Sequence, residues 1–376
     1  MHTAPRRASP DRLPMIEQAR RAVLAGESGP RPPGLDTWID RSWRRCLGAG
    51  FDPTQRVSFN AISPQAMRST TEASQPLVRA ARPVLERLSR AIAGTRYFAL
   101  LTDAQGVVID ANGPIDSGDR RATLISRIGV DLSEQAVGTT AIGAALSELE
   151  PVWLHRGEHF FNDTSVYSCA GAPVFGPDGQ CVGMLDLTGV EVPERPELKH
   201  LVSLSARSIE HGLLMQQPHA LTLHLNWPGS LTGDERDGIV CVDAEGFIRG
   251  SNHSARQMLP LAAGDTARNT HCSDLFAIHW TQVFDMARQA DSPIEIPLWS
   301  GFRLLVLALP ARRSVSALTP GRLAQRPAPM ALKDIQSALI RKAVDDARGN
   351  VAEAARALGI SRATVYRRLA VRQGNK

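Results

Sequence analysis

The chain has 376 residues, 43% of them apolar and 22% charged, with a net charge of +5; this is the composition of a globular protein of two or three domains and excludes collagen-like or low-complexity chains. No apolar run reaches the roughly 18 residues of a membrane-spanning helix, and the opening "MHTAPRRASPDRLP" lacks the hydrophobic block of a signal peptide, so a cytoplasmic location without a membrane partner is expected. Five scattered cysteines, Cys46, Cys169, Cys181, Cys241 and Cys272, show no C-x-x-C spacing and read as reduced core thiols, with a redox-sensing thiol as the alternative, rather than as disulfides or a zinc site.

Residues 1 to about 34 are rich in Pro, Arg and Gly, and the segment 1–37 is expected to be partly disordered. "DTWIDRSWRRCLGAGFDP" then places Trp38, Trp43, Cys46 and Leu47 on one side of a helix that Gly50 and Pro53 stop. A helical stretch follows from about Ile62 to Ala93, with interruptions expected at Pro76 and Pro83.

At Tyr97 the period changes. "YFALLTDAQGVVIDANG" is an apolar run, a D-A-Q-G turn and a second apolar run, which predicts a hairpin. "PVWLHRGEHF" opens with a strand, and "CAGAPVFGPDGQCVGMLDLTG" gives a strand, a turn at Gly176 to Gly179 and another strand. "PELKHLVSLSARSIEHGLLMQQ", with Leu201, Leu204, Ile209 and Leu213 on one face, closes the unit as a helix. An antiparallel sheet flanked by helices follows, an α+β sensor architecture over 38–215.

The same grammar returns in "GIVCVDAEGFIRGSNHSARQML" (238–259), and "PIEIPL" and "FRLLVLALP" add two strands, so 220–311 is a second, smaller α+β unit. "RRSVSALTPGRLAQRPAP", within 312–330, is Pro-rich and basic and predicts a linker.

The last segment, 331–376, is all-α. An apolar stripe of Ile335, Leu339, Ile340, Ala343 and Val344 marks one helix. In "NVAEAARALGISRATVYRRL", Ala352, Ala355 and Leu358 form the face of a second helix that Gly359 ends. Ser361 caps a third, with Val365 and Leu369 buried and Ser361, Arg362, Thr364, Tyr366, Arg367 and Arg368 the candidates for DNA contact. Two short helices about a Gly turn are the helix-turn-helix unit, whose second helix enters the major groove. Ten Lys and Arg against four Asp and Glu give this segment a net +6, leaving −1 on the first 330 residues, so the basic footprint is localised. A protein-docking module with a solvated basic face is the alternative. So little core in the segment favours pairing with a second copy, hence a homodimer on a near-palindromic double-stranded operator.

This segment closely resembles the Fis-type helix-turn-helix of bacterial enhancer-binding regulators, the most specific run being "AARALGISRATVYRRL". The first unit resembles the GAF domain of acetoin-responsive (AcoR-like) regulators through "SWRRCLGAGFDP", "TDAQGVVID", "SEQAVGTTAIGAAL", "EHF" and "APVFGPDGQCVGMLDLTG". The opening of the second unit resembles a PAS-type domain. These resemblances imply a one-component transcriptional regulator that senses an unidentified small-molecule effector, with RNA polymerase a further candidate partner and no cofactor. On geometry, the polar groups beside the likely effector cavity are Thr139, Thr140, His155, Glu158, His159 and Asp186, each with capping or sheet packing as its competing role.

The chain departs from those regulators in having no G-x-x-x-x-G-K-[ST] loop and no G-A-F-T-G-A loop, so the ATPase module that acts on sigma-54 polymerase is missing between sensor and reader. A regulator independent of that ATPase is expected. "HRGEH" (155–159) formally fits an H-x-x-E-H zinc pattern, but that chemistry needs helix, and Gly157 behind a strand predicts a turn. With no nucleophile elbow or dinucleotide loop either, the reading is a non-enzyme. The competing functions are a scaffold or antagonist pairing with related regulators, and an enzyme using the sensor cavity.

Overall fold

A computed structural model of the protein describes residues 12–24, 35–230, 237–261, 264, 269–289 and 292–311, with 350, 351, 355 and 362 towards the C-terminus. The chain divides into two units, Met1–Arg312 and Arg313–Lys376.

The first unit opens with helices. α1 (Arg12–Leu24) lies inside the segment whose Pro- and Arg-rich composition concealed it, and buries Ile16, Ala19 and Val23, a single face at helical spacing. α2 (Thr37–Gly48) buries Trp38, Ile39, Ser42, Trp43 and Cys46. α3 (Pro64–Ile92) begins at the Ser63 cap and runs 29 residues straight through Pro76 and Pro83, where breaks were expected. Each internal proline removes a helix hydrogen bond, at about 3 kcal/mol in an unsupported helix. Here the stripe Leu77, Ala81, Val84, Leu85, Leu88 and Ile92 packs into the core and offsets that cost.

β1 (Tyr97–Asp103) and β2 (Val108–Asn112) form the hairpin read from the sequence. At its turn Gly106 has φ +89°, and a Cβ there would come within 3.0 Å of the Ser133 backbone nitrogen. α4 (Arg120–Ile125), α5 (Glu134–Val137) and α6 (Ala141–Glu148) precede β3 (Val152–His155), β4 (Tyr167–Phe175) and β5 (Cys181–Val190), and α7 (Leu198–Met215) follows. The sheet order is β2-β1-β5-β4-β3, antiparallel throughout. Alternation sorts the strands: Tyr97, Ala99, Leu101, Ala170, Ala172, Leu185 and Leu187 join the core beneath α3 and α7, while Phe98, Leu100, Tyr167, Cys169, Met184 and Val190 join the core with α1, α2 and α4 to α6.

α7 is turned from the expected face. It buries Val202, Ala206, Ile209 and Leu213, leaving Leu201 and Leu204 half-buried. Small residues let it approach α3 closely, for a Cβ on Gly212 would stand 3.3 Å from that of Ala80.

The second sheet comprises β6 (Leu221–Asn226), β7 (Gly238–Val242) and β8 (Ile248–Ser251), then, after α8 (His253–Met258), α9 (Cys272–Leu275) and α10 (Thr281–Gln289), β9 (Ile294–Pro297) and β10 (Arg303–Pro310). Its order is β8-β7-β6-β10-β9. β6, absent from the sequence reading, is the central strand and buries Leu221, Leu223 and Leu225. The β4–β5 turn docks on this sheet: Pro177 O accepts from Ser251 N at 2.9 Å and from Arg256 Nη2 at 2.8 Å.

In the second unit Val351 and Ala355 are helical, Ala355 buried, and Arg362 is helical and exposed. The expected linker and the other DNA-contact candidates, Ser361, Thr364, Tyr366, Arg367 and Arg368, lie outside the described residues.

Candidate functional site

Strand alternation brings Asp186 and Thr188 of β5 to the sheet face that also carries Cys169 of β4. Register sets Asp186 opposite Leu100 on one side and Gly171 on the other. Gly171 is a close approach: a Cβ there would meet Ala141 O at 3.0 Å, so the start of α6 sits directly on the sheet. Between them lies a cavity of about 30 Å³, walled by Phe59, Leu100, Ile125, Leu132, Ala141 and Ile142, with Thr140, His159, Thr164, Tyr167, Cys169, Asp186 and Thr188 as its polar lining.

Asp186 is fully buried. Its Oδ2 accepts a hydrogen bond from Thr188 Oγ1, while Oδ1 has no partner. Burial pushes its carboxyl up to about 7, opposed by the Thr188 hydrogen bond. Thr188 Oγ1 also lies 3.4 Å from Cys169 Sγ, but a hydroxyl has one proton and the carboxylate is the stronger acceptor. His159 Nδ1 lies 2.9 Å from Arg156 O, which can only accept, so Nδ1 carries the proton and Nε2 a lone pair. Cys169 S–H then donates to His159 Nε2 at 3.5 Å. Burial holds His159 down at about 4 and, with Asp186 nearby, raises the Cys169 thiol well above its usual range. Imidazole and thiol are therefore both neutral at pH 7, which does not favour a thiolate nucleophile.

Of the six effector candidates, Thr140, His159 and Asp186 line the cavity; Thr139, His155 and Glu158 do not. Thr139 Oγ1 bonds Ser42 Oγ at 2.7 Å. His155 Nδ1 bonds Ser168 Oγ at 2.7 Å, and the Glu158 carboxylate accepts from His155 N at 2.7 Å, closing the box of a 3-10 turn at Arg156–Glu158. H-R-G-E-H is thus a tightly bonded turn, and among the described residues no cluster of three His, Cys, Asp or Glu could hold a metal ion. Sequence reasoning read Cys169 as a core thiol rather than a site residue and did not single out Thr188, Thr164 or Tyr167; Thr188 was available by alternation from Asp186.

Arg20 of α1 is a further participant. Its guanidinium donates to Gly157 O at 3.3 Å, to the carbonyls of His159 and Phe160, and to Asn162 Oδ1 at 3.0 Å. It clamps the loop that delivers His159 to the cavity.

Comparison with known proteins covers both ends of the chain. The profile of the MimR N-terminal domain matches residues 19–210, and that of the bacterial regulatory protein Fis family matches residues 331–370. The acetoin catabolism regulatory protein of Cupriavidus necator is 32% identical over 232 residues, 60% of this chain and 34% of that protein. MimR, the propane 2-monooxygenase operon transcriptional activator of Mycolicibacterium smegmatis, is 31% identical over 265 residues, 70% of this chain and 44% of its own length. The chain thus spans less than half the length of these relatives. Among solved structures, the Escherichia coli DhaR(N)–DhaL complex aligns with 73% of this chain and 100% of the matched chain, at 15% identity and a TM-score of 0.46. The two curated relatives are transcriptional regulators by name, in keeping with the reading of this chain as a non-enzyme.

Proposed function

The chain belongs to the family defined by the MimR N-terminal domain and carries a Fis-type helix-turn-helix, and on that footing we propose that it is a bacterial transcriptional regulator whose N-terminal domain senses a small molecule and whose C-terminal domain binds DNA. The observation that carries this reading is the presence, in one chain, of a Fis-type reader and a buried cavity with an unpartnered carboxylate oxygen.

In this reading 38–215 is a GAF-type sensor, extended at its N-terminus by α1; 220–311 is PAS-like; 312–330 is a linker; and 331–376 is the reader, placed as a dimer on a near-palindrome with half-sites about 34 Å apart. The absence of a phosphate-cradling loop supports regulation independent of the sigma-54 ATPase, by contact with RNA polymerase or by occupancy of the promoter. Cytoplasmic action goes with DNA binding, and among the described residues no helix is long and apolar enough to cross a membrane.

The test is selection of genomic fragments by the purified full chain at 50 and 200 mM salt, beside a variant carrying Arg362→Ala, Arg367→Ala and Arg368→Ala. Enrichment of one symmetric sequence by the unaltered chain alone is expected. Equal enrichment by both proteins would overturn the assignment of the reader, and enrichment by neither would favour a scaffold that pairs with related regulators.

A further inference from the structure

Apart from Phe59 and Thr140, every side chain that lines the cavity is buried. A molecule that enters must therefore displace part of the wall. Thr140 is fixed where it stands, because its Oγ1 accepts from Gly143 N at 3.2 Å as the cap of α6. Phe59 is held differently: it belongs to the connection between α2 and α3, where residues 54–60 form no helix or strand.

We propose that residues 54–60 are a lid on this cavity and that outward movement of Phe59 is the step that admits a molecule to it. The proposal rests on the sensor reading above and supplies its point of entry.

The lid is pinned at its ends and loosely tied between them. Pro53 O accepts from Asn162 N at 2.9 Å, and Asn60 O accepts from Asp131 N at 3.1 Å. Between these pins, the ties from 54–59 to the rest of the described protein are Val57 N donating to Asp163 Oδ2 at 3.1 Å and Phe59 O accepting from Arg127 Nη2 at 2.7 Å. Asp163 and Arg127 are exposed, as are Ser58 and Asn60 on either side of Phe59, so water replaces both bonds when the segment lifts and no buried polar group is left without a partner. The Phe59 ring packs at the edge of the core, T-shaped against Tyr167 with centroids 6.3 Å apart. The walls opposite are firmer. Leu100, Cys169 and Asp186 lie in strands paired on both sides, and the start of α6 rests on Gly171. The loop that carries His159 is held by Arg20 and by Trp43 Nε1, which donates to Glu158 O at 2.9 Å; lifting it would strip a buried indole N–H of its acceptor. Local opening takes the segment with few buried contacts and exposed hydrogen bonds, and around this cavity that segment is 54–60.

Cys169, buried in the cavity wall, is a built-in reporter of access. The full chain is treated at pH 8 with methyl methanethiosulfonate, which transfers a methylthio group to a thiol and releases methanesulfinate, and labelling of each cysteine is followed by peptide mass spectrometry. Cys272, fully buried in the core of the second sheet, is the control for unfolding. Expected for Phe59→Ala is labelling of Cys169 at least about tenfold faster than in the unaltered chain. For Arg127→Ala, a surface change that keeps the ring and removes one tie, a rise of about three- to tenfold is expected, with Cys272 unchanged in both variants. An unchanged Cys169 rate in both variants overturns the proposal, and so does a matching rise at Cys272, which marks unfolding instead of a lid. Faster labelling in Arg20→Ala but not in Phe59→Ala would put the door at the His159 loop and overturn it equally. Labelling reads access alone, so each of these outcomes leaves the sensor reading to be judged by the DNA selection.

Discussion

Ser42 Oγ lies 2.6 Å from Glu134 Oε2, across 92 residues of sequence, and joins α2 to α5. Thr139 Oγ1 stands 2.7 Å behind Ser42, and Arg45 grips the same carboxylate with two bonds of 2.6 and 2.8 Å. Ser42 is fully buried, so Glu134 is the acceptor for a hydroxyl that water cannot reach. Glu134→Ala should cost about 1–3 kcal/mol and Glu134→Gln, which keeps an acceptor, distinctly less. In a double-mutant cycle with Ser42→Ala, read from urea denaturation midpoints, a coupling above about 0.5 kcal/mol is expected. Strict additivity would mean that the two groups do not interact.

Trp43 anchors the same helix over the loop that feeds the cavity. It is 1% exposed, and its Nε1 donates to Glu158 O at 2.9 Å. Trp43→Ala should destabilise by about 3–5 kcal/mol. Trp299, 68% exposed, is the internal control: its replacement should cost less than about 1 kcal/mol. Similar thermal midpoints for the two variants would show that α2 is not structurally tied to the sensor core.

How much of this was legible follows the range of the interactions. The Tyr97–Asn112 hairpin and the β4–β5 pair are local, an alternation about a Gly turn, and both were read correctly. β6 follows shortly on α7 and Pro218; its leucines alternate with polar residues and the "WPGS" turn follows them, so this strand was legible and was overlooked. On α7 the larger Leu201 and Leu204 drew the eye, while the packed line runs through Val202 and Ala206. At the site, sequence identified polar residues within apolar words but not which were already spent. Thr139 and His155 find their partners in Ser42 and Ser168, and only folding brings those groups together. Asp186 looked no different from them, yet one of its oxygens is left over.

Stability should carry the mark of buried carboxyls. Asp186 and Glu210 are held at about 7 by burial, against about 3.9 and 4.3 in an unfolded chain. Between those values the folded state keeps a proton that the unfolded chain has released, so stability falls as pH rises from about 4 to about 7. His159, held at about 4 against about 6.5 unfolded, works in the opposite sense below about pH 6.5. A single substitution isolates one contribution. Asp186→Asn should gain on the unaltered chain between pH 5 and pH 8 by on the order of a few kcal/mol, measured by urea unfolding. A difference that does not change with pH would show that Asp186 titrates alike in both states.

DNA binding by the proposed reader separates charge from readout. Arg362 is exposed and helical; on the proposed reading Ser361 before it is the cap, which puts Arg362 at the recognition-helix end that goes deepest into the groove. Arg362→Ala should therefore relax one base position of the selected site at about 1–3 kcal/mol, leaving affinity for sites already altered there nearly unchanged. Arg367→Ala, a phosphate contact on this reading, should weaken all sequences alike and lower the slope of log K against log salt by about 1. Bound as the proposed dimer with about 6–10 phosphate contacts, the unaltered chain should lose roughly 10³–10⁵ in affinity between 50 and 200 mM salt. Titrations of one operator and its single-base variants at both salts distinguish the two roles. If both arginine variants shift every sequence by the same factor, Arg362 touches only the backbone, and base readout must come from Thr364 or a neighbour on the same helix.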